Sequence, residues 1–94
     1  MRRASKVDSN HARILRVFQQ AGCEVLDLHT VGDGCPDVLI YKRGVPSPGR
    51  AVGFWLVEIK SARGKFTPQQ QAFHRRWPVQ VVRSEAEALA LVGR

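Results

Sequence analysis

The amino-acid sequence predicts a single α/β domain in which a mixed, four-stranded sheet is flanked by helices. The chain has 94 residues, which suits one domain and leaves no room for a second. Segments with the apolar spacing of an amphipathic helix alternate with short apolar runs of strand-forming residues. Stretches that contain glycine and proline separate these segments. The predicted order of elements is αβββαβα, with a hairpin inside an otherwise alternating pattern.

A helix over residues 9–21 is predicted to open the domain. Residues 8–10, Asp-Ser-Asn, are all favourable N-cap types, and the apolar residues that follow recur with helical spacing. Gly22 stands where the end of this helix is expected. The loosely alternating residues 23–28 form the first predicted strand, and residues 1–7 are expected to be a loose basic arm.

Two further strands form a predicted hairpin. The first covers residues 37–41 and follows a loop, residues 29–36, that contains two glycines and a proline. The second covers residues 51–60, an apolar run that ends in charged residues. Residues 42–50 between them hold two glycines and two prolines, which predicts a turn or a longer hairpin loop.

Two capping boxes mark the remaining helices. Thr67 and Gln70 fit the N-cap and N3 positions of a helix that has one proline at N1 and another at its end. A last strand is predicted over residues 79–82. Ser84 and Glu87 form the second box, which opens a C-terminal helix.

The composition is that of a basic globular protein. Lys and Arg number 15 against 8 Asp and Glu, which gives a net charge of +7. Such an excess in a small domain favours a polyanionic partner, of which nucleic acid is the usual one. No apolar stretch approaches the ~18 residues of a membrane span, and no apolar segment follows the basic N-terminus as in a signal peptide. We therefore expect a cytoplasmic protein that does not enter the membrane.

Charged residues at the ends of the hairpin strands carry the chemistry. Glu58 and Lys60 are two residues apart in a strand and therefore point to the same face of the sheet, although a solvated strand end would show the same pattern. Asp37 begins the preceding strand, where a turn aspartate is the alternative interpretation. In an antiparallel hairpin, the start of one strand lies beside the end of the next. We therefore expect Asp37 to lie next to Glu58 and Lys60.

Two converging carboxylates with a lysine beside them can support metal-dependent hydrolysis. Mg²⁺ and Mn²⁺ prefer oxygen ligands and accept few protein contacts, so Asp37 and Glu58 are candidate ligands. A metal held there can activate water and polarise a phosphodiester. Lys60 can orient the water or offset the charge on the phosphate.

The motif Pro36-Asp37 followed by Glu58-x-Lys60 resembles the signature of the PD-(D/E)xK nuclease superfamily. Within that superfamily, the chain resembles the virus-type replication-repair nuclease (VRR-NUC) domains. The glycine-rich loop and strand around the aspartate match over residues 32–40, and the catalytic strand matches over residues 56–60. The helix after the lysine matches over residues 66–74, and the end of the domain matches over residues 78–82 and the helix from Ser84. The resemblance implies a restriction-endonuclease-like core within residues 1–94 and a metal-dependent DNA endonuclease activity.

The resemblance also implies roles for individual residues. Asp37, Glu58 and the main-chain carbonyl of Ile59 would hold Mg²⁺ or Mn²⁺, and Lys60 would be catalytic. Gln70 would be a motif residue near the site, although its position in the capping box explains it equally well.

The first helix departs from the family pattern. Relatives often carry a glutamate there that joins the metal site, and the matching position here is Arg13, with Asp8 and Asn10 nearby as imperfect substitutes. The departure leaves open an alternative function, in which a basic domain with a weakened site binds DNA without cutting it. A further alternative is an interaction protein in which the two carboxylates and the lysine form a structural ion pair.

Six basic residues near the predicted site are the expected phosphate contacts: Lys42, Arg43, Arg63, Lys65, Arg75 and Arg76. Phosphate contacts position DNA without reading its sequence, so we expect selection by structure, as for branched or junction DNA. Tyr41, Trp55 and Trp77 can stack on bases, but their spacing favours burial in the core. His74 lies one turn beyond Gln70 and is expected to be a solvated surface residue. Family analogy further implies a homodimer that acts in phage or prophage replication or repair.

Overall fold

The computed structural model describes residues 9–42 and 53–93, and it confirms the predicted order αβββαβα. Three helices and four strands make up the described part of the chain: α1 (Ser9–Gln20), β1 (Cys23–Asp27), β2 (Val38–Lys42), β3 (Phe54–Ile59), α2 (Pro68–Arg76), β4 (Val79–Val82) and α3 (Glu85–Val92). The expected basic arm over residues 1–7 and most of the hairpin loop lie outside the described residues. Among the helices that are described, none is long and apolar enough to cross a membrane.

The strands form one mixed sheet in the order β1-β2-β3-β4. β1 pairs antiparallel with β2, and β2 pairs antiparallel with β3, which confirms the predicted hairpin. β3 pairs parallel with β4, since α2 connects these two strands as a crossover. The register of the hairpin places Val38 opposite Val57, and this pairing fixes the positions of the residues just beyond it.

One face of the sheet forms the hydrophobic core with α1 and α3. Ile14 and Phe18 from α1, Ile40 and Val57 from the sheet and Val92 from α3 are all buried. Each such side chain contributes about 1.5–3 kcal/mol relative to exposure, which is large beside a total stability of about 5–15 kcal/mol. Packing on this face therefore holds the two central strands, and the residues at their ends, in place.

The opposite face of the sheet is only partly covered. By strand alternation, Leu39 and Tyr41 of β2 and Phe54 and Leu56 of β3 point to this face. Phe54 is 52% exposed, and α2 contains no buried residue. The second helix therefore contributes little to the core, and apolar side chains stay accessible beside it.

The predicted capping box of α2 is complete, whereas in α3 only the bond from the N-cap side chain forms as predicted. Thr67 Oγ1 accepts from the main-chain N–H of Gln70 at 3.1 Å, and Gln70 Oε1 accepts from the main-chain N–H of Thr67 at 2.9 Å. Ser84 Oγ accepts from the main-chain N–H of Glu87 at 3.1 Å, whereas the Glu87 carboxylate accepts from the main-chain N–H of Arg83 at 2.7 Å. In α3 the Glu87 carboxylate therefore bonds to the residue before the N-cap and not to the N-cap residue Ser84 itself.

Candidate active site

The start of β2 and the end of β3 bring Asp37 and Glu58 together. The register of the hairpin, continued by one residue, sets these two residues opposite each other. Asp37 Oδ2 accepts a hydrogen bond from the main-chain N–H of Ile59 at 2.7 Å. The Asp37 carbonyl accepts another from the main-chain N–H of Leu28 at 2.8 Å. The aspartate is therefore fixed at both its main chain and its side chain.

Glu58 is a buried carboxyl group with an unsatisfied oxygen. Its exposed fraction is 3%, and its Oε1 atom accepts no hydrogen bond from a donor among the described residues. The neighbouring Asp37 side chain can share a hydrogen bond with Glu58 when Glu58 is protonated. Burial and then the negative charge of Asp37 raise the pKa of Glu58 to about 8, while the positive charge of Lys60 opposes the rise. A buried carboxylate is costly unless it is paired or bound to a metal. The close carboxyl pair with a free lone pair therefore suits a cation.

Gln70 connects Glu58, Lys60 and the start of α2. Its Nε2 atom donates to Glu58 Oε2 at 3.3 Å, and its Oε1 atom accepts from Lys60 Nζ at 3.0 Å. The same Oε1 atom also accepts from the main-chain N–H of Thr67 in the capping box. Gln70 therefore fills both roles that the sequence left open, because one side chain caps the helix and contacts two residues of the site.

A close approach at Gly34 fixes the position of Gln70. Gly34 has a φ of 81°, and a Cβ atom there would lie 2.3 Å from the carbonyl oxygen of Gln69 and 2.9 Å from the nitrogen of Gln70. Glycine satisfies both the backbone conformation and the lack of space. The glycine-rich loop before Asp37 thus packs directly on the first turn of α2, and this contact brings Gln70 to the carboxyl pair.

The loop after β3 holds Lys60 at the site. Lys60 Nζ lies 5.4 Å from the centre of the Phe66 ring, within the range of a cation–π contact. Arg83 fastens the same loop, because its Nη1 atom donates to the carbonyls of Ser61 at 2.7 Å and Gly64 at 2.9 Å. No pattern in the sequence predicts this role, since one arginine after a strand resembles any surface arginine.

The first helix reaches the site through Asn10 and not through Arg13. Asn10 Nδ2 donates to the main-chain carbonyls of Lys60 at 3.3 Å and Arg83 at 3.2 Å, which ties α1 to the end of β3. Arg13 forms an exposed ion pair with Glu85 at 3.0 Å and so links α1 to α3. The position that the resemblance matches to a metal-binding glutamate is therefore occupied by a contact between helices.

Two aromatic residues of α2 and its C-cap differ from expectation. His74 is half-buried, its Nε2 atom has no partner among the described residues, and its ring meets the Phe66 ring edge-on at 4.9 Å. Burial and then the charge of Lys60 lower the pKa of His74, so the expected solvated histidine is wrong. Trp77 is 51% exposed, which corrects its expected burial, whereas Trp55 packs against the core as expected.

The predicted phosphate contacts fall into two groups. Lys42 is buried, and its Nζ atom donates to the main-chain carbonyl of Val92 at 3.0 Å, on the core face of the sheet. This placement argues against the expected phosphate contact, because the ammonium group faces the end of α3 and not the carboxyl pair. Arg43 lies outside the described residues. Four of the predicted contacts are exposed: Arg63, Lys65, Arg75 and Arg76.

No family model, curated protein or solved structure matches the chain. Within residues 9–42 and 53–93, no three His, Cys, Asp or Glu side chains converge as a metal site. A cation would thus be held by the Asp37–Glu58 pair with main-chain oxygen, as suits an ion that keeps several of its waters.

Proposed function

We propose that this protein is a metal-dependent DNA endonuclease with the PD-(D/E)xK arrangement and the character of a VRR-NUC domain. The observation that carries the proposal is the meeting of the buried Glu58 with the half-buried Asp37, where one Glu58 oxygen accepts no hydrogen bond from a donor among the described residues. Lys60 is connected to the same carboxyl group through Gln70, with bonds of 3.0 and 3.3 Å. Two carboxylates with an adjacent lysine are suited to metal-assisted hydrolysis of a phosphodiester.

The residues present fit Mg²⁺ or Mn²⁺. Asp37, Glu58 and the main-chain carbonyl of Ile59 would supply oxygen ligands, which these ions prefer. Because the pKa of Glu58 is about 8, its carboxyl group is protonated near neutral pH and must release a proton when it becomes a ligand. When bound, such an ion activates a water molecule and polarises the scissile phosphodiester.

Lys60 and its contacts supply the remaining chemistry. The Lys60 ammonium group lies beside the carboxyl pair, where it can orient the attacking water and offset the charge that develops on the phosphate. The bond to Gln70 at 3.0 Å restricts the lysine to one position, and a preorganised charge lowers the barrier more than a freely moving one. The bond from the Ile59 main chain to Asp37 holds the first carboxylate against rotation.

DNA is the polyanion that the proposal assigns as substrate. The chain carries a net charge of +7, and the exposed basic residues stand before α2 and at its end: Arg63, Lys65, Arg75 and Arg76. Such residues position the phosphate backbone without reading bases, so we propose that branched or junction DNA is selected by its structure. A homodimer that acts in phage or prophage replication or repair belongs to the same proposal by family analogy.

A DNA-binding module without activity is the second candidate. Two observations favour it: Arg13 pairs with Glu85 where a third carboxylate is expected, and no group of three acidic ligands converges among the described residues. This candidate predicts DNA binding that is independent of Mg²⁺ and is followed by no cleavage.

Cleavage of labelled DNA tests the proposal. Wild-type protein is incubated with duplex and four-way-junction DNA in Mg²⁺ or Mn²⁺, with EDTA as the metal-free control. We expect metal-dependent cleavage that Asp37→Asn abolishes. Asp33→Asn is the matched control, because Asp33 is exposed and has a φ of 57°, which asparagine tolerates equally well. DNA binding without cleavage by the wild type would contradict the proposal and favour the binding module.

A further inference from the structure

Two aromatic pairs belong to the part of the molecule that the core does not use. The ring centres of Tyr41 and Phe54 are 4.8 Å apart. Those of Phe73 and Trp77 are 5.7 Å apart, and the two rings are nearly parallel, at 18°. Phe54 and Trp77 are each about half exposed, at 52% and 51%. Large aromatic side chains usually bury most of their surface, so this exposure indicates a binding surface.

Phe54 and Trp77 line the same groove, which has a volume of about 400 Å³. Its remaining walls come from β2, β3 and the start of β4: Leu39, Trp55, Leu56, Pro78 and Gln80. The lining contains no charged side chain and only one amide. A groove of this size and character is suited to a flat, largely apolar group.

The groove lies along the same strand, and on the same face, as the carboxyl pair. Leu56 and Phe54 precede Glu58 by two and four residues in β3, so the three side chains point to one face. A strand rises about 3.3 Å per residue, which places these positions about 7 Å and about 13 Å from Glu58. The groove is therefore close enough to the site for neighbouring nucleotides of one strand to occupy both.

We propose that this groove binds unpaired bases of the DNA strand whose backbone lies at the Asp37–Glu58 site. The inference rests on the proposed nuclease function and narrows its substrate to DNA with a single-stranded segment beside the cleaved bond. Exposed rings stack on any base through its π-face, so they hold a strand without a fixed sequence. In intact duplex the bases are already stacked and paired, and they do not reach the groove.

The charges beside the groove favour a nucleic-acid strand over a second copy of the chain. Arg75 and Arg76 directly precede Trp77, and both are exposed. They place positive charge next to an uncharged groove, as a strand with stacked bases and flanking phosphates requires. In a two-fold dimer through this face, the groove of one copy would pack against the groove of the other. The arginines of the two copies would then approach and repel each other.

Binding in EDTA, where no cleavage occurs, tests the inference. The probe is a fluorescent oligothymidylate of about ten nucleotides, followed by anisotropy, with a duplex of the same length as the paired ligand. We expect Trp77→Ala to weaken oligothymidylate binding about tenfold or more, and duplex binding less than about twofold. Trp77→Phe keeps a ring and should retain most of the affinity. Trp77→Leu keeps an apolar side chain but has no ring, and it should lose most of the affinity for oligothymidylate.

Leu89→Ala is the matched control. Leu89 is 48% exposed on α3, which packs against the opposite face of the sheet, so its loss should change neither affinity. Thermal unfolding of each variant establishes that the fold is retained. Equal losses for the two DNAs in Trp77→Ala, equal affinities of the Phe and Leu variants, or no oligothymidylate binding by the wild type would each overturn the inference. Sedimentation that shows a dimer converted to monomer by Trp77→Ala would also overturn it, because the groove would then belong to a second copy.

The proposal for the groove and the proposal of nuclease activity can be refuted separately. If the wild type binds oligothymidylate through Trp77 but cuts no DNA, the groove stands and the nuclease proposal fails. If the wild type cuts DNA while Trp77→Ala binds both ligands with wild-type affinity, the nuclease stands and the groove fails.

Discussion

Alanine in place of Gly34 should damage both the stability of the fold and the geometry of the site, whereas alanine in place of Gly32 should affect stability alone. The two glycines have nearly the same backbone conformation, with φ values of 81° and 79°. An alanine in this conformation costs about 1–2 kcal/mol at either position. Their surroundings differ, because a Cβ atom at Gly32 meets nothing within 4 Å, while one at Gly34 would lie 2.3 Å from the carbonyl oxygen of Gln69.

The contact at Gly34 sets the size of the additional effect. The loop and the first turn of α2 must separate by about 1 Å to restore ordinary van der Waals contact, and overpacking of this kind costs about 1–3 kcal/mol. The total loss of stability in Gly34→Ala is therefore about 2–5 kcal/mol. The same displacement carries Gln70 away from Lys60 and Glu58, its partners at 3.0 and 3.3 Å. A misplacement of about 1 Å lowers a catalysed rate about 100-fold.

Urea denaturation measures the free energies of unfolding of the two variants, and single-turnover cleavage measures their rates. The rates are compared at low urea, where the folded fraction of each variant is known from the same denaturation curves. We expect Gly32→Ala to cleave at nearly the wild-type rate per folded molecule. Equal stabilities and equal rates in the two variants would show that the loop does not press on α2, and would refute the contact that positions Gln70.

Three other changes separate the contacts at the site. The pKa of Glu58, about 8 against an ordinary 4.5, means that the folded protein holds this proton more tightly than the unfolded chain. The contribution of Glu58 to the free energy of unfolding in EDTA should thus be fully present below about pH 4.5 and be lost as the pH rises through about 8, and Glu58→Gln should remove this part of the slope in urea titrations at successive pH values. Gln70→Glu keeps an acceptor for Thr67 but loses the donor to Glu58, so thermal unfolding should stay near wild type while cleavage falls about tenfold; an unchanged cleavage rate would indicate a capping role alone. Arg83→Lys removes the Nη1 group that donates to two loop carbonyls, so limited proteolysis after β3 should become faster; an unchanged cleavage pattern would contradict the role of this arginine.

Local patterns were sufficient to predict the elements of the fold and the meeting of the two carboxyl groups. The capping box at Thr67 depends on residues within one turn, and it is confirmed bond by bond. The hairpin brings Asp37 to Glu58 because two strands joined by one loop have few possible registers. The spacing of Phe73 and Trp77 was misleading, since helical periodicity identifies an apolar face but not whether anything covers it. In α2 nothing does so completely, because no residue of this helix is buried.

Contacts between distant parts of the chain explain what the sequence did not predict. Asn10 and Arg83 support the end of β3 and its loop across 50 and 22 residues, respectively. These contacts depend on how α1 and β4 pack around β3, which local spacing does not encode. Lys42 shows the same limit, because a lysine at the end of a strand next to a loop suggests solvent exposure. Its side chain instead lies on the core face, where the ammonium group satisfies the Val92 carbonyl at the end of α3.

The single-turnover cleavage rate of Lys60→Ala, measured on junction DNA at saturating Mg²⁺, tests the central claim most directly. Arg16→Ala is the control, because Arg16 is an exposed basic residue on α1 that takes no part in the site. We predict a loss of about 100-fold or more in Lys60→Ala, at a folded fraction close to wild type, and a wild-type rate in Arg16→Ala. A wild-type rate in Lys60→Ala, or a loss explained entirely by unfolding, would contradict the catalytic role of the lysine and leave its bond to Gln70 as a structural contact.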